Sequence, residues 1–247
     1  LSMLLVLCMA LTLCSAAFAE GKSPVDGMTV AFIPKVSGNS FFEAANDGAQ
    51  KYAADWGLTV DYIGAPTADV TTQLELIQQA IDKGVDAICI SSVDATGLDE
   101  KLQEAQDAGI FVSTWDSDVS PDARALMISQ GTADVLGPML VDMAVDSLTE
   151  RGVDVNGEVK YVWHFSNPSV SDQNSWYVAG DAYIKEKYPT WVAVNDPYYS
   201  NQDPAQSVSV GESILDAYPD IDVIICNDST ALPGQLQAAE NKGYDAT

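Results

Sequence analysis

Basic residues are scarce in this sequence. Lys and Arg together number 11 among 247 residues, against 36 Asp and Glu, so the formal net charge is −25. Such an acidic chain repels phosphate, which argues against nucleic acid and anionic membrane surfaces as partners. The hydrophobic content of 47% excludes a disordered acidic tail. The length allows either one large domain or two smaller ones.

Enzyme motifs are also lacking. The sequence has no G-x-G-x-x-G, no P-loop and no G-x-S-x-G. Its single histidine, His164, excludes a two-histidine metal site and lies in a strand-like run, so we interpret it as a core or hinge-side residue. Asp116 and Asp118 have the spacing of an acid/base pair, but neighbouring Asp residues in a turn more often cap helices or accept hydroxyl hydrogen bonds. We therefore expect no enzyme, no cofactor and no metal.

Cysteine is rare, with four residues in all. Two of them lie in the first 19 residues, and Cys89 and Cys226 each lie in an apolar, strand-like run. The separation of this second pair fits no zinc motif. We interpret Cys89 and Cys226 as packed core thiols rather than as a disulfide.

The first 19 residues carry no charge and end in Ala17-Phe18-Ala19. A short apolar run that closes on small residues predicts a signal peptide at 1–19, with a membrane anchor as the alternative. No basic segment precedes the run, so we expect the beginning of the peptide to be missing. Cys14 suggests a lipid attachment site, although Leu13 occupies a position that normally needs a small residue. The predicted location is the periplasm or the extracytoplasmic cell surface.

Apolar, β-branched runs alternate with segments of helical period. Leu74, Ile77 and Ile81 recur at helical spacing within 71–83, and Gly57, Gly84 and Gly109 stand where C-terminal caps belong. Such alternation predicts βα units and parallel sheets with right-handed crossovers. The predicted strands are 28–33, 58–63, 86–91, 110–114, 125–129, 159–165, 191–194 and 222–226, and later helices are expected near 131–150, 172–187, 205–217 and 230–242.

The simplest architecture is two α/β lobes, at 27–118 and 130–247, joined by a hinge at 119–129. One undivided doubly wound sheet is the alternative, and periodicity does not exclude it. The final helix ends near Gly243, and no strand follows it. We therefore expect a C-terminal truncation.

Polar residues follow several predicted strands directly. In open α/β sheets, ligands bind beyond the carboxyl ends of the strands. Lys35 follows the first strand, Asp116 the fourth and Asn227 the last, while Phe41, Phe42 and Trp115 lie nearby in sequence. Taken singly, many such polar residues cap helices or form turns. Together, carboxylates, amides and aromatic faces suit a small polyhydroxylated ring.

Three segments, Thr114-Trp-Asp-Ser-Asp118, Asp172-Gln-Asn174 with Trp176, and Ile33-Pro-Lys35, carry a resemblance to periplasmic sugar-type solute-binding proteins, and among them to the autoinducer-2 receptors of ABC importers. The first two segments are fairly specific, whereas Ile33-Pro-Lys35 is common among sugar-binding relatives. The similarity extends over about 28–243. Further matching segments are Phe41-Phe42, Gln130-Gly-Thr132, Met139-Leu-Val-Asp-Met143, Ala231-Leu-Pro233 and Ala238-Ala-Glu-Asn241.

The resemblance implies the type I fold of that family, with two Rossmann-like lobes that close over a ligand. Lys35 and Asp116 would hold the ligand from the first lobe, and Asp172 and Gln173 from the second. Asn227 and Ser229 occupy positions where these receptors carry Pro and Ala, so a different furanose or pentose stays open. The predicted ligand-binding residues are Lys35, Phe41, Phe42, Trp115, Asp116, Asp172, Gln173, Asn227 and Ser229.

The expected function is the extracytoplasmic solute-binding component of an ABC importer, a monomer that delivers autoinducer-2 or a related sugar to a membrane permease. The alternatives are a receptor for a rhamnose- or ribose-like monosaccharide, a chemoreceptor adaptor, and an exported hydrolase that uses Asp116 or Asp118. A sugar-responsive repressor of the same fold needs a helix-turn-helix before the first lobe, where this sequence has its predicted signal peptide.

Overall fold

The chain folds as two Rossmann-like α/β lobes, each built on a parallel sheet. The computed structural model describes residues 23–244. The predicted signal peptide at 1–19, with Cys14, lies outside the described residues. None of the helices within 23–244 combines the length and apolar character needed to cross a bilayer.

The first sheet has five parallel strands in the order β2-β1-β3-β4-β5. β1 lies between β2 and β3, and helices connect the first four strands, as parallel pairing requires. Fully buried Ile33, Ile88, Ile90 and Val112 fill its core. The elements are β1 (Thr29–Ile33), α1 (Ser40–Trp56), β2 (Thr59–Tyr62), α2 (Val70–Lys83), β3 (Ala87–Ile90), α3 (Asp99–Asp107), β4 (Phe111–Trp115), a 3₁₀ turn (Pro121–Ala123) and β5 (Leu126–Ile128).

Local sequence signals account for the ends of the helices. The side chain of Asn39 accepts a hydrogen bond from the Phe41 N–H at the start of α1, and Asp69 caps α2 in the same way. Gly57 and Gly84 end these two helices in the left-handed conformation, with φ of 73° and 68°. Glycine adopts that conformation without a Cβ clash, so the predicted caps are confirmed.

The second sheet is built around β6, which pairs in parallel with three strands. On one side β7 and β8 pair with successive parts of β6, and on the other side β9 pairs with Tyr161–His164. Its core is aromatic, with Tyr161, Trp163, Phe165 and Trp191 buried together. The elements are α4 (Ala133–Glu150), β6 (Lys160–Phe165), α5 (Ser171–Lys187), β7 (Val192–Ala193), β8 (Tyr198–Tyr199), α6 (Pro204–Ala217), β9 (Val223–Cys226) and α7 (Ala231–Asn241).

The predicted strands and later helices are confirmed to within a few residues. Sequence reasoning missed β8, whose two residues, Tyr198 and Tyr199, do not belong to a longer apolar run as those of β7 do. His164 is fully buried in β6, as a core residue should be, and burial lowers its pKa to about 4. The predicted lobe boundaries and the hinge at 119–129 stay a prediction.

Two glycines let α4 and α5 cross at very short range. A Cβ atom on Gly137 would lie 2.6 Å from the Gly180 nitrogen and 2.7 Å from the Trp176 carbonyl oxygen. A Cβ atom on Gly180 would lie 2.8 Å from the Trp163 ring. Backbone atoms cannot yield as a flexible side chain can, so this crossing requires glycine at both positions.

We expect Gly137→Ala to destabilise the protein by about 1–3 kcal/mol, because the new methyl group forces α4 and α5 apart. Gly48→Ala is the matched control. Gly48 lies within α1, and a Cβ there would meet nothing within 4 Å, so this change should stabilise by about 0.5–1 kcal/mol. Urea unfolding measures the free energy of unfolding of both variants. Equal effects of the two substitutions would contradict the claim that the close approach of α4 and α5 requires glycine at position 137.

Candidate functional site

A cavity of about 320 Å³ lies between the two lobes, where the carboxyl ends of strands from both sheets face each other. Lys35 and Asp116 reach it from the ends of β1 and β4, and Asp172 reaches it from the first turn of α5. Eight of the nine residues predicted from the sequence line this cavity: Lys35, Phe41, Phe42, Asp116, Asp172, Gln173, Asn227 and Ser229.

Lys35 is a buried cation held between carboxylates from both lobes. It is 2% exposed, and its Nζ lies 3.0 Å from Asp116 Oδ2 and 3.2 Å from Asp172 Oδ1. Burial alone lowers the pKa of Lys35, but attraction to Asp172 and Asp116 outweighs burial and leaves the pKa above its ordinary value. The ammonium therefore stays charged at neutral pH.

Asp172 is the lobe-two partner of this cation. Its carboxylate also accepts a hydrogen bond from the Ser117 hydroxyl of the first lobe. Burial raises the pKa of Asp172, Lys35 acts in the opposite direction, and repulsion from Asp116 adds to the increase. The pKa of Asp172 is therefore a balance between burial and Asp116, which raise it, and Lys35 and Ser117, which lower it.

Asp116 is fixed by a donor from each side of the hinge and by an unusual backbone conformation. The Ser91 hydroxyl donates to Oδ2 at 2.6 Å, and the Gln130 side-chain amide donates to Oδ1. Asp116 has a φ of 61°, a value that is uncommon for residues other than glycine. This left-handed turn directs its carboxylate towards Lys35.

Gln73 is a buried cross-link behind the site that sequence reasoning missed. Its Nε2 donates to the Pro34 and Ser91 carbonyl oxygens at 3.0 and 2.8 Å, and its Oε1 accepts from the Val93 N–H at 3.0 Å. It thereby joins the segments that follow β1 and β3. Gln73 shares the buried face of α2 with Ile77 and Ala80, and one amide on an otherwise apolar helical face was the available signal.

The lobe-two wall presents three buried oxygens without donors. Gln202 Oε1, Asn227 Oδ1 and Asp228 Oδ2 accept no hydrogen bond from any residue in the described chain. All three residues line the cavity and are less than a tenth exposed. Buried acceptors of this kind normally have partners. The cavity is therefore suited to a molecule that brings hydrogen-bond donors.

Asp228 and Asn227 use only part of their polar capacity within the protein. Asp228 Oδ1 accepts from the N–H groups of Thr230 and Ala231, at 2.7 and 2.8 Å, and so caps α7. Asn227 Nδ2 donates to the Gln173 carbonyl oxygen at 2.8 Å. Burial raises the pKa of Asp228, and the two N–H donors act in the opposite direction. Each side chain is thus anchored by one atom, and its buried oxygen is left without a donor from the described chain.

Gln202 was missed by sequence reasoning. It lies in the loop after β8, where Asn201 and Gln202 both have positive φ, at 51° and 55°. Together with Asp116, these are the non-glycine residues of the described chain with positive φ. Two consecutive left-handed residues carry a conformational cost that surrounding contacts must outweigh. No pattern in the sequence indicates this conformation, since Gln does not favour it.

Aromatic and apolar side chains form the rest of the wall. Phe41 and Phe42 line the cavity, whereas Trp115 does not and instead packs behind them, with its ring centroid 5.7 Å from that of Phe42. Contact of Trp115 with a ligand stays a prediction. Sequence reasoning missed four further apolar or half-apolar lining residues, of which three lie at helical spacing on α4: Leu136, Met139, Leu140 and Trp176.

Polar contacts hold the lobes together on either side of the cavity. Asn39 Nδ2 donates to Ser229 Oγ at 3.0 Å and to Thr230 Oγ1 at 3.3 Å. Elsewhere the Ser171 hydroxyl donates to the Asp118 carbonyl oxygen at 3.0 Å and accepts from the Asp118 N–H. These bonds join residues of different lobes, so the lobes are in contact around the cavity.

Thiol chemistry and metal binding have little support in the part of the chain that the structure describes. Cys89 and Cys226 are both free and half-buried, and Cys226 lines the cavity in addition to packing in the sheet. Burial raises the pKa of the Cys226 thiol, which makes it a poor nucleophile. Within residues 23–244, no group of three or more His, Cys, Asp or Glu side chains is arranged to hold a metal ion.

A family model described as "Periplasmic binding protein domain" matches residues 30–247. Among solved structures, LsrB from Clostridium saccharobutylicum in complex with AI-2 is 59% identical, with a TM-score of 0.88 over 89% of this chain and 68% of that one. A solute-binding protein of an ABC transporter from Clostridium phytofermentas, with bound L-rhamnose, has a TM-score of 0.81 over 87% of this chain and 65% of that one, but at 24% identity it shows the fold alone.

Curated relatives match over shorter stretches. The D-ribose/D-allose-binding protein of Pseudomonas aeruginosa is 30% identical over 37% of this chain and 30% of its own length. The fructose import binding protein FruE of Bifidobacterium longum is 31% identical over 45% of this chain and 35% of its own length. The chain thus spans about a third of the length of these curated relatives.

We expect Lys35→Met to destabilise the protein by about 3–5 kcal/mol at pH 7, because two buried carboxylates lose their cation. The difference in the free energy of unfolding between the variant and the unmodified protein should narrow as the pH falls from 7 towards 4, since the unpaired carboxylates take up protons in the folded state. In the unmodified protein, the contribution of Lys35 should persist up to its ordinary pKa of 10.5 and decline only at higher pH, because its pKa is raised.

Urea unfolding at several pH values measures these effects. The control is Lys83→Met, which removes an exposed ion pair with Asp61 and should cost at most about 1 kcal/mol. A Lys35→Met variant as stable as the control, or with a deficit that grows on acidification, would refute this account of the site.

Proposed function

Because the chain belongs to the periplasmic binding protein family, we propose that it is the extracytoplasmic solute-binding component of an ABC importer and binds autoinducer-2 or a related small furanose or sugar between its lobes. The observation that carries the proposal is the set of three buried acceptors without donors on the lobe-two wall, opposite the Lys35 ion pairs. A ligand with several hydroxyl groups supplies the missing donors.

The charges of the cavity favour a neutral ligand. Asp116, Asp172 and Asp228 face a single cation, Lys35, so the lining has more negative than positive groups. An anionic ligand would meet like charge in a poorly solvated space, where repulsion is strong. The phenylalanine faces cover the apolar side of a small ring, and a volume of about 320 Å³ lies at the small end of ligand pockets.

The relatives also favour a small sugar-like ligand. LsrB from Clostridium saccharobutylicum, at 59% identity, was solved with AI-2, and the curated relatives are named for ribose, allose and fructose. Autoinducer-2 and these sugars share a compact, hydroxyl-rich skeleton. Autoinducer-2 is our first choice of ligand, and a rhamnose- or ribose-like sugar is the alternative.

We propose capture and release without chemistry. Asp118, the second carboxylate of the considered acid/base pair, does not line the cavity. Burial acts to raise the pKa of Asp118, but hydrogen bonds from Arg124, whose ion pair with Asp118 measures 2.8 Å, and from Thr114 outweigh burial and lower it. Asp116 is held by Lys35 and two further donors. Ligand contacts from both lobes then favour the closed state, which a membrane permease recognises. We expect a monomer outside the cytoplasm.

Calorimetry with autoinducer-2, L-rhamnose and D-ribose tests the proposal. We expect Asp116→Ala and Asp172→Ala to weaken binding by about 1–3 kcal/mol or more, because each removes a charged acceptor from one lobe. Asp61→Ala is the control, since Asp61 lies on β2 away from the cavity. Unchanged affinity in both site variants would exclude this cavity as the binding site, and mass spectrometry should find the ligand chemically unaltered.

Asp228→Asn separates the two roles of Asp228. The amide oxygen can still cap α7 while the –NH₂ group replaces the acceptor that has no donor within the described chain, so we expect near-normal stability and clearly weaker binding. Asp228→Ala should lose both, with about 0.5–2 kcal/mol of stability lost with the cap. If Asp228→Asn binds as the unmodified protein does, the free oxygen of Asp228 plays no part in recognition.

A further inference from the structure

Two consecutive side chains after β4, those of Asp116 and Ser117, both contact the buried ion pair of Lys35 and Asp172. In a regular strand, successive side chains point to opposite faces of the sheet. After Trp115 the chain turns sharply: Asp116 has a φ of 61°, and Trp115 and Ser117 form an isolated antiparallel bridge. The Asp116 carboxylate therefore contacts Lys35, while the hydroxyl of the next residue, Ser117, contacts Asp172.

Ser117 is anchored in the first lobe and reaches into the second. It is fully buried, and its carbonyl oxygen accepts from the Ser92 N–H at 3.2 Å. Its hydroxyl donates to Asp172 Oδ1, in the first turn of α5. Ser117 is not among the residues that line the cavity. Its contact with the second lobe is thus made outside the space available to a ligand.

We propose that Ser117 is a positioning residue for ligand capture, which holds the Asp172 carboxylate across the cleft and stabilises the closed arrangement of the lobes without touching the ligand. The inference rests on the proposed function. A hydroxyl bonded to a buried carboxylate is among the stronger hydrogen bonds in proteins. A group that stabilises the closed state alone raises the affinity for every ligand of that state by the same factor.

This role differs from that of a residue that contacts the ligand. Removal of a contact weakens ligands unequally, according to the hydroxyl group that each presents. Removal of Ser117 leaves the Lys35–Asp116 pair and the three lobe-two acceptors in place, and takes away one bond between the lobes. It should therefore lower affinity uniformly and shift the protein towards the open form even before ligand is added.

Two measurements on Ser117→Ala test the proposal. Calorimetry with autoinducer-2, L-rhamnose and D-ribose should show a loss of about 10-fold or more, equal for each compound that the unmodified protein binds. Small-angle scattering without ligand should show a larger radius of gyration. Ser113→Ala is the control, because Ser113 donates to the Ile88 carbonyl oxygen within the first lobe, at 3.4 Å, and it should change neither quantity.

A double-mutant cycle of Ser117→Ala with Asp172→Asn measures what the contact between these two side chains contributes to affinity. If Ser117 acts through Asp172, Ser117→Ala should have a much smaller effect in that background, and a full additional loss would overturn the proposal. Affinity losses that differ among the ligands would also overturn it, as would a Ser117→Ala variant with unchanged affinity and an unchanged radius of gyration.

Should Ser117→Ala not fold, Ser117→Cys replaces the hydroxyl by a weaker donor of similar size and is expected to show the same uniform loss of affinity. If the unmodified protein binds none of the three compounds, the proposed function fails, while scattering still tests Ser117.

Discussion

A single buried ammonium group governs the arrangement of this protein. Lys35 lies between a carboxylate of each lobe, at 3.0 Å from Asp116 and 3.2 Å from Asp172. Removing three charges from water carries a large cost, which is offset only when the partners are close and their remaining atoms are hydrogen-bonded. The additional donors Ser91, Gln130 and Ser117 meet this condition. The contact between the lobes and the charge of the cavity thus both involve Lys35 and its two carboxylate partners.

The two walls of the cavity are unequal. On the first lobe, Asp116 has its donors within the protein, and phenylalanine faces cover the adjoining surface. On the second lobe, Gln202, Asn227 and Asp228 each offer an oxygen that receives no donor from the described chain. A wall whose carboxylate has its donors and a wall whose acceptors lack them suit a reversible binding site, because a ligand can complete the hydrogen bonds of one lobe while it contacts the other.

Helix packing supports the site from behind. The crossing of α4 and α5 at Gly137 and Gly180 brings the apolar side chains of α4 and the first turn of α5 to the same wall. In the first lobe, Gln73 ties together the segments after β1 and β3, from which Lys35 and Ser91 extend. The cavity is therefore lined both by helix residues and by the loops that follow the strands, and helix packing determines where both lie.

The sequence by itself determined the order of strands and helices, the glycine caps, the parallel sheets and most of the residues at their carboxyl ends, since these follow from local periodicity and from the geometry of βα units. Tertiary structure alone decided the left-handed backbone conformation of Asp116 and Gln202 and the contact of Ser117 with the other lobe. It also decided that Trp115 packs against Phe42 and does not line the cavity. These features depend on residues far apart in the chain, whose mutual positions no local pattern encodes. Strained backbone persists only where surrounding contacts hold it in place, and those contacts exist only in the folded molecule.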